Sequence, residues 1–277
     1  MIIIGEKING AIPSVGQAIE KRDEAFIAGL AKAQEEAGAD YLDVCAGTSP
    51  GEEREALGWL IDIVQDTTAL PICIDSPDAG TIQNMLPKLK RPGIINSISG
   101  EGAKCEALLP LLVGSGWQAI LLCCDDKGVA ADADAKTEIA FRLIEEASRY
   151  GVPPEQLHID PLVLALSAAN GSVLAFMEAV QRIKARYASV NVTAALSNVS
   201  FGMPARSLLN QHFLTLALSV GLDSGILDPL SKDVAATILA TEALLGRDRH
   251  CRKYNSAFRA GKIGRRAAPV GGLEGCG

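Results

Sequence analysis

The sequence contains few aromatic residues and few histidines. Phe, Trp and Tyr together make up 4% of the 277 residues, and there are three histidines. Because 48% of the chain is nevertheless hydrophobic, we expect a core of Leu, Ile, Val and Ala. The histidines and cysteines lack the spacing of zinc ligands, so no protein-bound metal is expected.

The sequence also lacks a basic cluster, a secretory signal and an apolar run of the length that a membrane span needs. The formal net charge of −7 argues against a nucleic-acid substrate. No apolar run reaches about 18 residues, so a membrane-spanning helix is not expected. Seven cysteines, an odd number, favour free thiols in a reducing compartment. These features predict a cytoplasmic protein without nucleic-acid or membrane partners.

What the sequence does contain is an alternation of short apolar runs and longer helical stretches. The runs are continuous rather than alternating, as is typical of parallel strands buried on both faces. Eight such units predict an α/β fold of the (β/α)8 TIM barrel type, with an open doubly wound sheet as the alternative. The predicted strands are Ile2–Gly5, Tyr41–Val44, Ile72–Asp75, Gly93–Ser97, Ala119–Cys123, Leu157–Asp160, Val192–Leu196 and Ser224–Leu227.

The barrel is predicted to occupy residues 1–261, and the segment 262–277 differs from it in composition. From Lys262 onward the sequence mixes Gly, Pro and the pair Arg265-Arg266 without helical or strand periodicity. Such a composition is typical of a disordered extension, and two arginines are too few for a nucleic-acid patch. We therefore expect one domain followed by a disordered tail.

Acidic or amide residues stand at or just past the ends of four predicted strands, namely Asp75, Asn96, Asp160 and Asn198. Taken singly, each is explained as a cap or turn residue. In a TIM barrel, however, all four strand ends meet at the mouth where active sites lie. Carboxylates and amides together suit a flat heterocycle with neighbouring N–H donors, such as a pterin. The competing use is a carboxylate pair for glycoside hydrolysis, against which the shortage of aromatic residues argues.

Several short motifs occur in a characteristic order and spacing. They are Gly5-Glu6-Lys7-Ile8-Asn9-Gly10, Leu42-Asp43, Ile74-Asp75-Ser76, Ile95-Asn96-Ser97, Ile159-Asp160-Pro161-Leu162 and Leu196-Ser197-Asn198-Val199-Ser200-Phe201-Gly202. This pattern closely resembles the methyltetrahydrofolate:corrinoid methyltransferases and the folate module of cobalamin-dependent methionine synthase. The resemblance covers roughly residues 1–260. It implies a pterin-binding TIM barrel, related more distantly to dihydropteroate synthase.

The resemblance implies roles for the residues at the strand ends. Asp75, Asn96 and Asp160 match the side chains that hold the pterin ring. Asn198 matches the residue that reaches N5, the nitrogen that carries the methyl group, and is the candidate catalytic residue.

Further matching positions have secondary roles. Ser197 and Arg206 are expected to make additional substrate contacts, while Glu6 and Asn9 either contact the ligand or support the rim. The sequence departs from the family pattern at Cys45, where relatives often have an amide. This thiol is expected to alter hydrogen bonding near the pterin.

The implied substrates are tetrahydrofolate or 5-methyltetrahydrofolate and a corrinoid (cobalamin). A tertiary amine is a poor leaving group, so a donor such as Asn198 beside N5 stabilises the amine that develops, while Co(I) is the nucleophile. The usual lower-ligand motif D-x-H-x-x-G is absent, so a separate corrinoid protein is expected to dock over the mouth. The resemblance also implies a homodimer. The direction of transfer stays open.

Two alternatives remain. A dihydropteroate synthase needs basic side chains for pyrophosphate near the late strands; Arg206 is present, but the seventh predicted strand contains no lysine and the eighth ends in an acid. The second alternative is a non-catalytic folate-binding partner of a corrinoid protein, against which the intact motif around Asn198 argues.

Overall fold

The computed structural model describes residues 1–264, so most of the predicted tail, including Arg265-Arg266, lies outside the described residues. The strands are β1 (Ile2–Asn9), β2 (Tyr41–Cys45), β3 (Ile72–Asp75), β4 (Ile94–Gly100), β5 (Gln118–Asp125), β6 (Gly128–Val129), β7 (Leu157–Asp160), β8 (Asn191–Val192) and β9 (Ser224–Leu227). The helices are α1 (Pro13–Lys21), α2 (Glu24–Glu36), α3 (Glu53–Thr67), α4 (Ala79–Met85), α5 (Lys104–Leu108), α6 (Ala133–Arg149), α7 (Ser172–Arg186), α8 (Arg206–Val220), α9 (Lys232–Leu244) and α10 (Arg252–Arg259).

The strands form one sheet that curls nearly to a closed barrel. Its order is β8-β7-β5-β4-β3-β2-β1-β9, with all of these neighbours parallel. The two ends of the sheet meet at a bridge between Ala195 and Ile226, and the backbone N–H of Asp223 donates to the carbonyl of Val192 at 2.9 Å. The predicted TIM barrel is therefore confirmed, and an open doubly wound sheet is excluded.

The ends of β1, β2, β4 and β5 differ from the predicted strand ends by one to four residues, and two further differences are larger. The short strand β6 pairs antiparallel with the end of β5, and the sequence did not predict it. The predicted seventh strand, Val192–Leu196, is wrong in its extent: β8 ends at Val192, and Leu196–Ser200 forms a 3-10 helix. Local hydrogen bonds explain the difference, since the Ser200 hydroxyl donates to the Ser197 carbonyl at 3.2 Å.

Capping residues in the sequence mark where several helices begin and end. Asp23 accepts a hydrogen bond from the backbone N–H of Phe26 at the start of α2, and Asp132 does the same for Ala135 at the start of α6. After α2, Gly38 has a φ of +93°, which suits glycine and stops the helix. Across residues 1–264, no helix has both the length and the apolar character to cross a membrane.

The barrel contains a buried polar group and an apolar cluster. Near the N-terminal ends of the strands, His158 is fully buried between the hydroxyl of Ser224 (2.9 Å) and the side-chain oxygen of Gln118 (2.6 Å). Burial lowers the pKa of His158 to about 4, so the ring is neutral. The buried residues Ile4, Cys73, Ile94, Ile120 and Ile226 form a separate apolar cluster. The acids Asp75 and Asp160 are the last residues of their strands, at the C-terminal end of the barrel.

Candidate active site

A cavity of about 670 Å³ opens at the C-terminal ends of the strands. Its position is the one where TIM barrels carry their active sites. Each predicted site residue lines it, so the structure brings together Asp75, Asn96, Asp160, Ser197, Asn198 and Arg206. The lining also includes residues that were not predicted as site residues, among them Asp43, Ser207, Asn210 and Asp228.

Asp43 is the buried partner of Asn96. The side-chain N–H of Asn96 donates to the Asp43 carboxyl at 3.1 Å, and the two residues are 8% and 2% exposed. This bond uses one amide donor of Asn96 and leaves its carbonyl oxygen for a ligand. One signal for Asp43 is present in the sequence, namely an ionisable residue inside an otherwise apolar strand.

Cysteine thiols lie opposite the acids Asp43 and Asp75, which form the wall of the cavity on β2 and β3. β2 and β3 are in register so that Asp43 lies opposite Cys73, and Cys45 lies opposite Asp75. The Cys73 thiol donates to Asp43 and the Cys45 thiol donates to Asp75. The thiol at position 45 thus takes the role of a hydrogen-bond donor to a candidate pterin ligand.

Burial raises the pKa values of the acids on this wall. The pKa of Asp75 rises to about 6, mainly because the carboxyl is desolvated; the Cys45 hydrogen bond opposes this shift, and the negative charge of Glu53 adds to it. The pKa of Asp43 is raised well above its ordinary value by burial and then by the nearby charge of Asp75. A ligand that brings N–H donors to Asp75 would stabilise its ionised form and so offset the free-energy cost of ionising a buried carboxyl.

Asp160 forms the adjoining wall and is held by the turn that follows β7. It is 3% exposed, and its Oδ1 accepts a hydrogen bond from the backbone N–H of Leu162 at 2.7 Å. Burial raises its pKa to about 6, while the hydrogen bond from Leu162 and the charge of Lys136 lower it. The turn role expected for an acid before proline is therefore real, and it coexists with a place in the cavity.

Lys136, a residue that the sequence did not single out, anchors the same turn. It lies on α6, is 0% exposed, and its ammonium donates to the carbonyls of Pro161 (2.7 Å) and Leu162 (2.6 Å). Leu162 has a φ of +57°, a conformation that costs free energy for a non-glycine residue. The buried cation therefore stabilises a strained turn that sets the orientation of Asp160.

The 3-10 helix Leu196–Ser200 carries the third side of the site. It presents Ser197 and Asn198 to the cavity, and the side chain of Asn198 is exposed and available to a bound molecule. Arg206 fixes this helix from α8, because its guanidinium donates to the Ser197 carbonyl at 2.9 Å and to the Ser200 hydroxyl at 3.1 Å. Arg206 thus acts on the loop backbone as well as lining the cavity.

Glu6 and Asp228 complete the rim. The Ser197 hydroxyl donates to Glu6 at 3.4 Å, and Lys7 forms an ion pair with Asp228 at 3.1 Å. The pKa of Glu6 rises to about 7, first through burial and then through the charge of Asp228; Lys7, the Ser197 hydrogen bond and Arg206 lower it. Glu6 therefore lines the cavity, and so does Asn9, the other motif residue of the first strand.

The cavity is strongly acidic. Among the described residues that line it, five are acids (Glu6, Asp43, Asp75, Asp160 and Asp228) and one, Arg206, is a base. Such a lining suits a neutral heterocycle rich in N–H donors and repels an anion such as pyrophosphate. In the described part of the chain, no group of three or more His, Cys, Asp or Glu residues is arranged to hold a metal ion.

Comparisons with known proteins agree with this geometry. The family model described as "Pterin binding enzyme" matches residues 13–228. A methylcorrinoid:tetrahydrofolate methyltransferase of Eubacterium limosum is 50% identical over 266 residues, which cover 95% of this chain and 98% of that protein. The methionine synthase of Mycobacterium tuberculosis is 30% identical over 240 residues; the match covers 82% of this chain and only 20% of the synthase.

Solved structures of low sequence identity share the fold. A dihydropteroate synthase from Xanthomonas albilineans, in complex with 7,8-dihydropteroate, superposes with a TM-score of 0.65 at 15% identity, covering 88% of this chain and 92% of that one. The dihydropteroate synthase of Thermus thermophilus gives a TM-score of 0.64 at 18% identity, covering 88% and 94%. At such identities the likeness supports the barrel architecture alone.

Proposed function

The chain belongs to the pterin-binding enzyme family, and from this premise we propose that it is a methyltransferase that moves a methyl group from a methylated corrinoid protein to N5 of tetrahydrofolate. The observation that carries the proposal is the acidic cavity with Asp75, Asn96 and Asp160 on one side and Asn198 on the other. The name of the relative with 50% identity supports the same pair of substrates. It also favours methylcorrinoid as the donor, a direction that the sequence left open.

In this proposal the acids hold the pterin ring. Asp75 and Asp160 accept hydrogen bonds from the amine and ring N–H groups, and the free carbonyl oxygen of Asn96 accepts a third. Asp43 holds Asn96 in place from behind. Ionised carboxylates against these donors give the ring one orientation, and N5 then lies toward the side of the cavity that carries Ser197 and Asn198.

Asn198 is the proposed catalytic residue. The N5 lone pair attacks the methyl carbon, the cobalt–carbon bond breaks, and its electron pair stays on cobalt as Co(I). Charge changes at N5 during this displacement, and an amide beside it can donate to or accept from that nitrogen as its charge requires. Ser197 and Arg206 contribute by holding the loop that carries Asn198, in addition to their proposed contacts with the substrate.

The corrinoid is a second substrate carried by another protein. Two exposed apolar side chains adjoin cavity-lining segments in the sequence: Phe201 (69% exposed) follows the 3-10 helix, and Leu230 precedes Ser231. Phe201 also lies beside the guanidinium of Arg206, whose carbon is 6.0 Å from the ring centroid. We assign the corrinoid protein to this face, because the cobalt must come within bonding distance of a methyl group on N5.

The proposal extends to assembly and location. Helices α8 and α9 leave several leucines exposed, including Leu208, Leu216 and Leu244, and a second copy of the chain would cover such a face in a homodimer. Light scattering measures the molar mass of the wild type and of Leu216→Glu in solution. The wild type should be a dimer, and the negative charge introduced on this face should dissociate Leu216→Glu into monomers.

A cytoplasmic location is part of the same proposal. Free cysteines are typical of the reducing cytoplasm, and the described cysteines form no disulfide. We assign the catalytic unit to residues 1–261.

A single-turnover assay tests the function. The chain is mixed anaerobically with a methylated corrinoid protein and tetrahydrofolate, and the loss of the methyl–cobalt absorbance and the formation of 5-methyltetrahydrofolate are followed together. Equal amounts of Co(I) and 5-methyltetrahydrofolate are expected. Folate binding without any product would instead support a non-catalytic folate-binding protein.

A dihydropteroate synthase fits the cavity less well. The reaction releases pyrophosphate, and the late strands here present Asp228 rather than a basic residue at that end of the barrel. Incubation with a dihydropterin pyrophosphate and 4-aminobenzoate should therefore give no condensation product.

A further inference from the structure

We infer that Glu6 is the group that exchanges the N5 proton with the folate during methyl transfer. This inference rests on the proposed function and assigns a second reacting side chain beside Asn198. It starts from the proton balance of the reaction. Tetrahydrofolate carries a hydrogen on N5, so the methylated nitrogen first becomes an ammonium and must lose one proton.

The proton needs an acceptor inside the site. In the step, N5 forms a bond to the methyl carbon, the cobalt–carbon bond breaks toward cobalt, and the N5–H electron pair returns to nitrogen as the proton leaves. Products are 5-methyltetrahydrofolate, Co(I) and one proton on the acceptor. In the reverse step, the same group in its acid form supplies the proton that the departing tertiary amine requires.

Most of the acids in the cavity are already committed to other partners. Asp75 is proposed to hold the pterin ring, as is Asp160, which also accepts a hydrogen bond from Leu162. Asp43 is bound to Asn96 and is 2% exposed, and Asp228 is paired with Lys7. Glu6 differs from these four, because its hydrogen-bond partner in the described residues is a hydroxyl that any ligand can replace or share.

Glu6 is also placed on the correct side. Its carboxylate accepts a hydrogen bond from Ser197, the residue that directly precedes Asn198. The carboxyl group therefore adjoins the part of the cavity where N5 is proposed to lie, and it comes from β1 rather than from β3 or β7, which carry the proposed ring-binding acids. Its bond to Ser197, 3.4 Å long, links it to the N5 side of the site through one hydroxyl.

The charges around Glu6 come from every neighbouring element. Lys7 follows it on β1, Asp43 lies on β2, Asp228 follows β9, and Arg206 begins α8; Ser197 contributes its hydroxyl from the 3-10 helix. Burial and Asp228 favour the neutral acid, while Lys7 and Arg206 favour the carboxylate, and the pKa settles at about 7. A group of this pKa can both accept and release a proton at neutral pH, which a reversible transfer needs.

The test compares pH profiles in both directions. Transfer from the methylated corrinoid protein to tetrahydrofolate should require ionised Glu6, so its rate should rise with pH through about 7. Transfer from 5-methyltetrahydrofolate to the corrinoid protein in its Co(I) form should require the neutral acid, so its rate should fall through the same midpoint. Glu6→Gln keeps the shape of the side chain and its contact with Ser197. In this variant the rate should no longer depend on pH in either direction, and it should be roughly 100-fold lower, as expected for a lost acid–base group. If the transfer rates of Glu6→Gln still rise and fall with pH as those of the wild type do, the inference is overturned.

A second variant moves the midpoint rather than removing it. Asp228→Asn takes away the charge that raises the pKa of Glu6, so the midpoint should shift to lower pH in both directions; an unshifted midpoint overturns the inference even where Glu6→Gln fails to fold. The exposed Glu20 of α1 provides the control, since Glu20→Gln should leave both profiles unchanged. A wild type that transfers no methyl in either direction contradicts the proposed function itself.

Discussion

Cys45 and Asp75 lie opposite each other on the neighbouring strands β2 and β3, and the Cys45 thiol acts on the pKa of the Asp75 carboxyl as a hydrogen-bond donor. A thiol thus supplies a donor at the position where the resemblance had led us to expect an amide. The bond lowers the pKa of Asp75, against the larger effect of burial. The residue at position 45 therefore sets the charge of a proposed pterin ligand without lining the cavity itself.

Replacing Cys45 by Ala should change the pH dependence of folate binding. The folded pKa of Asp75 is about 6, and the loss of a donor to the carboxylate raises it. Because the pterin N–H groups need the ionised form, affinity falls as the pH drops through this pKa, and in Cys45→Ala the fall should begin at a higher pH. Calorimetry of tetrahydrofolate binding between pH 5 and pH 8 measures the midpoint. Cys105→Ala, a buried thiol on α5, is the matched control; equal midpoints in all three proteins would contradict the role given to Cys45.

Asp160→Ala should weaken tetrahydrofolate binding by about 2–4 kcal/mol, the range for losing charge-assisted hydrogen bonds to a buried partner. Asp160→Asn should lose less, because its amide oxygen can still accept from Leu162 and so keep the turn. Titration calorimetry on both variants separates the charge from the turn. An affinity that is unchanged in both would remove Asp160 from the binding site.

Asn198→Ala should lower the single-turnover transfer rate by roughly 10- to 1000-fold, the range for losing one stabilising donor in a transition state. Folate affinity should fall much less, since the amide acts mainly as charge changes at N5. Stopped-flow absorbance at saturating folate measures the rate, and Asn210→Ala on α8 serves as a control amide in the same cavity. A folded Asn198→Ala protein that transfers methyl at the wild-type rate would exclude Asn198 from the mechanism.

Lys136→Met should destabilise the protein and weaken folate binding together. The substitution leaves the carbonyls of Pro161 and Leu162 without their buried donor, at a cost of about 1–3 kcal/mol for each. It also removes the positive charge that lowers the pKa of Asp160. The loss of folate affinity at acid pH, called the acid limb, should therefore begin at a higher pH. Urea unfolding and calorimetry measure the two effects. Lys32→Met on the exposed face of α2 should show neither, and a loss of stability with an unmoved acid limb would limit Lys136 to a structural role.

The sequence predicted the architecture well because barrel strands are signalled locally. Runs such as Ile72–Asp75 and Leu157–Asp160 have the same limits in the structure as in the prediction. Their continuous apolar character reflects burial on both faces, and the polar residue at each end marks where the strand leaves the core. The proposed ring-binding set, Asp75, Asn96 and Asp160, followed from the same signal together with the family motifs, and all three residues line the cavity.

The sequence by itself therefore determined the number of barrel strands, the end of the barrel that carries the cavity and several of the polar side chains there, because each of these depends on residues close together in the chain. Only the tertiary structure decided what those side chains touch. The pairing of Cys45 with Asp75, the support of Asn96 by Asp43 and the anchoring of the Asp160 turn by Lys136 join residues far apart in sequence. The pKa values of the acids follow from the same packing, since desolvation and nearby charges depend on the closed barrel rather than on any local motif.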